Sequence, residues 1–163
     1  MDLFEETIRA NCEAAIQGIL EEFALRELGV PDRVSYLVPG DLEVWDSGCS
    51  QLTGRLSTLT PHTSGSSRPA VMTPCSIDYW VITVNVVLTT CITALDNQGQ
   101  SPTPAQITGD GVKLLNYTGA MLRAITQLEF VDNVTLWTPQ TPQGGVGATG
   151  WNFTFKVDST PCD

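Results

Sequence analysis

Residues 76–92 read SIDYWVITVNVVLTTCI, 17 residues with no glycine or proline. Alternation is strict: Trp80, Ile82, Val84, Val86, Leu88 and Ile92 share one parity, and a period of two places them on one face of a strand. The other parity, Tyr79, Val81, Thr83, Asn85, Val87, Thr89 and Cys91, is mixed in polarity. The run is about three times the usual strand length. Fully extended it would reach about 55 Å, more than the width of a chain this size. The strand must therefore bend or project, and a projecting strand needs partners for its backbone groups.

Upstream, residues 51–59 alternate in the same way, with Leu52, Gly54, Leu56 and Thr58 on one side, and predict an antiparallel partner for 76–92. Between them lies a long polar loop, 60–75, carrying Pro61, Gly65 and Pro69. Hairpin loops are usually about 2–5 residues, so this one reads as the tip of a strand-loop-strand arm. Further upstream, residues 3–28 carry apolar residues at helical spacing, with Asp2 as cap and Gly29 and Pro31 as stop signals. Glu21 and Glu22 on that helix are neighbours in sequence, do not face one another, and read as a solvated face. Short strands are predicted over 34–38 and 42–45.

Downstream, Thr103-Pro-Ala-Gln106 is a capping box with proline at the first helical position, opening a helix over 104–128. Ile107, Val112, Leu115, Gly119, Leu122 and Ile125 read as its buried face, and Gly109, Gly111 and Gly119 as sites of close packing on the sheet. Strands over 131–137 and 151–157 close the chain. The expectation is one α+β domain over 1–163: an antiparallel sheet of about 4–6 strands flanked by two main helices, with the arm extending from it.

A hydrophobic fraction of 42% fits a globular chain, not a disordered one. The formal net charge of −10 argues against gripping nucleic acid, which requires a basic surface. It is compatible with a negative ring through which a duplex slides. No positively charged leader with an apolar core opens the sequence, and no run reaches membrane-spanning length. The five cysteines, Cys12, Cys49, Cys75, Cys91 and Cys162, are odd in number and lack zinc spacing. They read as free thiols, buried as small apolar side chains in a reducing cytosol.

The sequence specifies no catalysis, cofactor or metal. Gly145-Val-Gly147-Ala-Thr-Gly150 matches a dinucleotide fingerprint, but a period-two strand follows where a helix is needed. His62 is the only histidine, so a Cys–His nucleophile would pair it with Cys49 or Cys75. A lone loop histidine is the simpler reading. Candidate contact residues for assembly are Tyr79, Val81 and Val87 on the mixed face of the long strand. To these are added Arg55, His62, Arg68 and Met72 on its partner and the arm, and Trp45 and Trp137 as aromatic anchors.

Four segments carry a resemblance: WDSGCSQLTGRL at 45–56, Cys75 and Cys91 bracketing the long strand, the DNQGQSP turn at 96–102, and PQGGVGATG at 142–150. Together they resemble neck and tail-terminator proteins of long-tailed phages that infect actinobacteria, over about residues 40–157. The second helix departs from that pattern in carrying more glycine and fewer acids. The resemblance implies a structural virion protein assembled in the host cytoplasm. It implies a ring, typically hexameric, that caps the tail tube and meets the head-tail connector, with DNA passing through the lumen unbound. A head-tail stopper is the near alternative; a Cys/His enzyme and a host ligand-binding domain are distant ones.

Overall fold

The computed structural model describes residues 3–38, 49–63, 76–93, 98–137 and 146–159. Its elements run α1 (Leu3–Leu25), β1 (Arg33–Ser35), β2 (Gln51–His62), β3 (Tyr79–Cys91), α2 (Pro104–Thr126), β4 (Asn133–Leu136) and β5 (Val146–Asp158). The class is α+β. The strands form one sheet in the order β1-β2-β3-β5-β4. β1 pairs parallel to β2 while every other pair is antiparallel, so the sheet is mixed and not purely antiparallel. The expected strand over 42–45 and the tip of the loop, 64–75, lie outside the described residues.

The long apolar run is the centre of the sheet. β3 pairs with β2 from Tyr79 to Thr89, and with β5 along its whole length. Its backbone groups are satisfied from both sides over these residues. A strand flanked by two partners can afford to be long because neither edge meets water. Its parity holds: Ile82, Val84, Val86 and Leu88 are buried. Register places them in one layer with Leu52 of β2 and with Phe153 and Phe155 of β5.

Both helices cover that layer. Phe4 of α1 packs on Trp80, their ring centres 5.7 Å apart. Leu114 of α2 packs at Gly147, Thr118 hydrogen-bonds Thr149, and Trp151 Nε1 donates to the Thr118 carbonyl (2.9 Å). The helices meet each other through Phe23 and Tyr117, edge to face at 4.9 Å, and the Tyr117 hydroxyl donates to the Gly29 carbonyl. Gly54 is a close-approach site: a Cβ there would strike the backbone carbonyl of Tyr36. One core results, in which each fully buried aliphatic or aromatic side chain contributes about 1.5–3 kcal/mol.

Register also exposes a bulge. Leu56 pairs with Val84 but Thr58 pairs with Thr83, so Ser57 is the extra residue. Parity in β2 inverts there, and Thr58 leaves the face it shares by alternation with Leu56.

The helix ends differ in how well they follow local signals. The α2 capping box forms as expected, Thr103 Oγ1 accepting from Gln106 N and Gln106 Oε1 from Thr103 N. α1 stops earlier than 28. Glu27 adopts a left-handed conformation (φ 57°), Leu28 N donates to Phe23 O, and Glu27 N donates to Ala24 O. This is the Schellman closure with glutamate, not Gly29, at the left-handed position. Glu27→Gly is expected to raise stability by about 0.5–1 kcal/mol, because glycine adopts that conformation without the Cβ penalty. A urea melt checks it, and an unchanged or lower midpoint argues against the closure. Glu22 is buried and paired with Arg26 (2.5 Å), so it is not part of a solvated face.

The cysteines depart from expectation. Cys49 and Cys91 form a disulfide, with Cα atoms 4.9 Å apart. They continue the β2–β3 register two residues beyond the Gln51–Thr89 rung, where side chains of one parity face each other across the ladder. Cys12 is a free, buried thiol whose pKa burial pushes up to about 11. Cys75 and Cys162 lie outside the described residues.

Candidate subunit interface

The sheet face away from the helices carries a polar row. Arg55, Asn85 and Asn152 stand opposite one another on β2, β3 and β5. Arg55 Nη2 donates to Asn85 Oδ1 (2.9 Å), and Asn85 Nδ2 donates to Asn152 Oδ1. Asn85 is buried, so these bonds satisfy a group that would otherwise be costly. Gln51 is also buried, and its Nε2 has no hydrogen-bond partner among the described residues.

At the far end of the same face, His62 stacks on Tyr79 with rings 5.0 Å apart and 2° from parallel. Lys156 Nζ sits 5.3 Å from the Tyr79 ring centre, a cation–π contact. Arg55, His62, Tyr79, Val81 and Val87 therefore share one face, as their parity and the Ser57 bulge require. Val87 is only 2% exposed, which removes it as a contact residue. Trp137 lies just past β4, half-buried, its backbone N–H donating to Gly150 O. Trp45, Arg68 and Met72 lie outside the described residues.

The exposed large apolar side chains lie elsewhere. Ile107 (58%), Val112 (51%) and Leu115 (68%) of α2 face solvent, contrary to the buried face expected for them. Ile125 is buried as expected, and the helix buries Tyr117, Ala120, Met121 and Ala124 with it. A Cβ at Gly109, Gly111 or Gly119 would meet nothing, so these glycines do not pack on the sheet. Leu136 of β4 is exposed on the same side of the sheet. At the β1 edge, Val34 and Leu37 are exposed, as are Leu59 on β2 and Val30, next to the Gly29 that Tyr117 of α2 bonds. Leu3 and Leu25 protrude at the two ends of α1, while the exposed large apolar residues described include none on β3 or β5. The signal available in the sequence was that α2 is apolar on two sides, more than one sheet can cover.

Charge divides the two helices. On α2, the Asp110 carboxylate accepts from Thr93 N (2.7 Å), and that bond holds its pKa below the usual range. Lys113 and Arg123 remain as its other charges. On α1, Glu5, Glu6, Glu13 and Glu21 face Arg9 alone once Glu22 is paired with Arg26.

The chemistry considered for Cys49 finds no support. Cys49 is oxidised, and Cys49 and His62 stand at opposite ends of β2, about 40 Å apart at strand rise. Gly147 and Gly150 lie inside β5, so no helix follows the glycine fingerprint. Among the described residues, no group of three His, Cys, Asp or Glu comes together to hold a metal, and no helix is long and apolar enough to cross a membrane. Comparison with protein-family models and with curated protein sequences finds no match to this chain.

Proposed function

We propose that this chain is a structural subunit of a phage neck, a tail terminator whose copies close into a ring on the tail tube and present a surface to the head-tail connector. On this reading it performs no catalysis, and DNA passes its ring without specific contact. The observation that supports it is the exposure of three large apolar residues of α2, Ile107, Val112 and Leu115, since exposed apolar surface beyond scattered single residues marks protein contacts. The net charge of −10 fits a lumen that does not adhere to a duplex. The resemblance of residues 40–157 to neck and tail-terminator proteins supports a position in the neck.

Electron microscopy of purified virions tests it. The expected result is density for this chain as a single ring between tube and connector. Its absence from the particle, or its presence along the tube or in the capsid shell, overturns the proposal.

A further inference from the structure

We propose that the Cys49–Cys91 disulfide is a redox latch on the amino-terminal half of α2: closed, it keeps that half seated on the sheet, and opened, it lets that half detach while the rest of the fold stays intact. The inference stands on the geometry of the single chain and is independent of the ring reading above. The half in question has little else to hold it. Residues 104–116 include no buried residue, and the helix buries its side chains only from Tyr117 onward. Leu128 lies beside Gly18 and Tyr117 beside Phe23, so the two helices run antiparallel. α1 ends at Leu25, two residues after Phe23, and residues 104–116, about 20 Å of helix, reach past it.

The segment just after Cys91 ties this half to the body. Ile92 and Leu114 meet over Gly147, where a Cβ would strike both side chains. The Asp110 carboxylate accepts from Thr93 N (2.7 Å). Cys91, Ile92 and Thr93 are consecutive, so what fixes Cys91 fixes both contacts. On the β5 side Cys91 is held by the last rung, Cys91–Val146, and terminal rungs fray. On the β2 side pairing stops at Gln51–Thr89, and the disulfide is the tie that continues beyond it. Opening it leaves residues 91–93 on one terminal rung, while the core and the ladder from Gln51 onward keep their own contacts.

The chemistry is thiol–disulfide exchange, and Cys91 is exposed to it. A low-molecular-weight thiolate attacks the Cys91 sulfur and displaces Cys49 as a thiolate, which takes up a proton. A second such thiolate attacks the small-molecule sulfur of the mixed disulfide, releases Cys91 as a thiolate that is protonated in turn, and leaves as the small disulfide. The cysteine pair gains two electrons and the two small thiols lose them. The small disulfide drives the reverse reaction and closes the latch.

Hydrogen exchange tests it on the full-length chain with Cys75 and Cys162 replaced by serine. Glutathione buffers set the state of the cysteine pair, and alkylation with mass measurement reads it. As the pair is reduced, the amides of 108–116 are expected to exchange faster by about tenfold or more, and this rise should not change with urea up to about 1 M, the mark of local opening. The amides of 117–126 are expected to stay better protected. Asp110→Ala with Leu114→Ala is expected to give the same fast exchange over 108–116 in the oxidised chain, with no further rise on reduction. Equal exchange over 108–116 in the two redox states overturns the inference, as does a rise that grows with urea in parallel with that of β3. So does a double variant whose 108–116 still responds to reduction. Should that variant not fold, the comparison of the two redox states decides by itself.

Discussion

Reducing the Cys49–Cys91 disulfide is expected to lower the unfolding free energy by about 4 kcal/mol. The bond joins residues 42 apart in sequence and so closes the whole β2–β3 hairpin, including its loop. In the chain-entropy account the loss on cutting such a loop grows with the logarithm of its length, and a loop of this size gives about 4 kcal/mol at room temperature. Against a typical total of about 5–15 kcal/mol this is a large share. The bond lies two residues past the last β2–β3 rung, Gln51–Thr89, at the end of β2 that β1 also flanks. Urea melts of the native chain, the reduced chain and the Cys49→Ser/Cys91→Ser variant measure it, with a midpoint drop of about 2 M expected at an ordinary slope. Equal midpoints would show that the two sulfurs are not joined in solution. Cys12 does not confuse the measurement, because its buried, protonated thiol is a poor exchange partner.

The sheet and helices were legible in the sequence because burial on one face imposes a period, and the period survives in Ile82, Val84, Phe153 and Phe155 without knowledge of the neighbours. The α2 start was legible because Thr103 and Gln106 complete a capping box within four residues. What required three dimensions was register. Cys49 and Cys91 become opposite only once Gln51 is known to face Thr89. Ser57 becomes a bulge only once Val84 and Thr83 have claimed Leu56 and Thr58. Tyr79, Val81 and Arg55 were placed on the correct face, yet parity alone could not tell that Val87 on that face is buried. The α2 flank was misread for a related reason. Periodicity says that a helix side is apolar, and it does not say whether the chain's own sheet covers it. Glu27 carries no local stop signal of its own, while Gly29, two residues on, does.

Phe153→Ala is expected to cost about 3–5 kcal/mol, and Leu115→Ala less than about 0.5 kcal/mol. Both positions are large apolar residues in regular elements, and a count of hydrophobic positions would rank them alike. The structure separates them. Phe153 is fully buried, with Val84 opposite on β3 and Val134 opposite on β4. Its ring lies 6.4 Å from Phe130 and 6.1 Å from Phe155. Truncation there removes the transfer energy of the ring and leaves a cavity bounded by strands on both sides, which are held by ladder bonds and cannot collapse into it. Leu115 is 68% exposed and lines no cavity when shortened. Thermal melts of the two variants should therefore differ by about 10 °C, at about 2–4 °C per kcal/mol for a chain of this length. A Phe153→Ala loss below about 1 kcal/mol would mean that β5 is not packed beneath the helices as described. A Leu115→Ala loss as large as that of Phe153→Ala would mean that the α2 flank is already covered within the isolated chain, leaving no surface there for a protein contact.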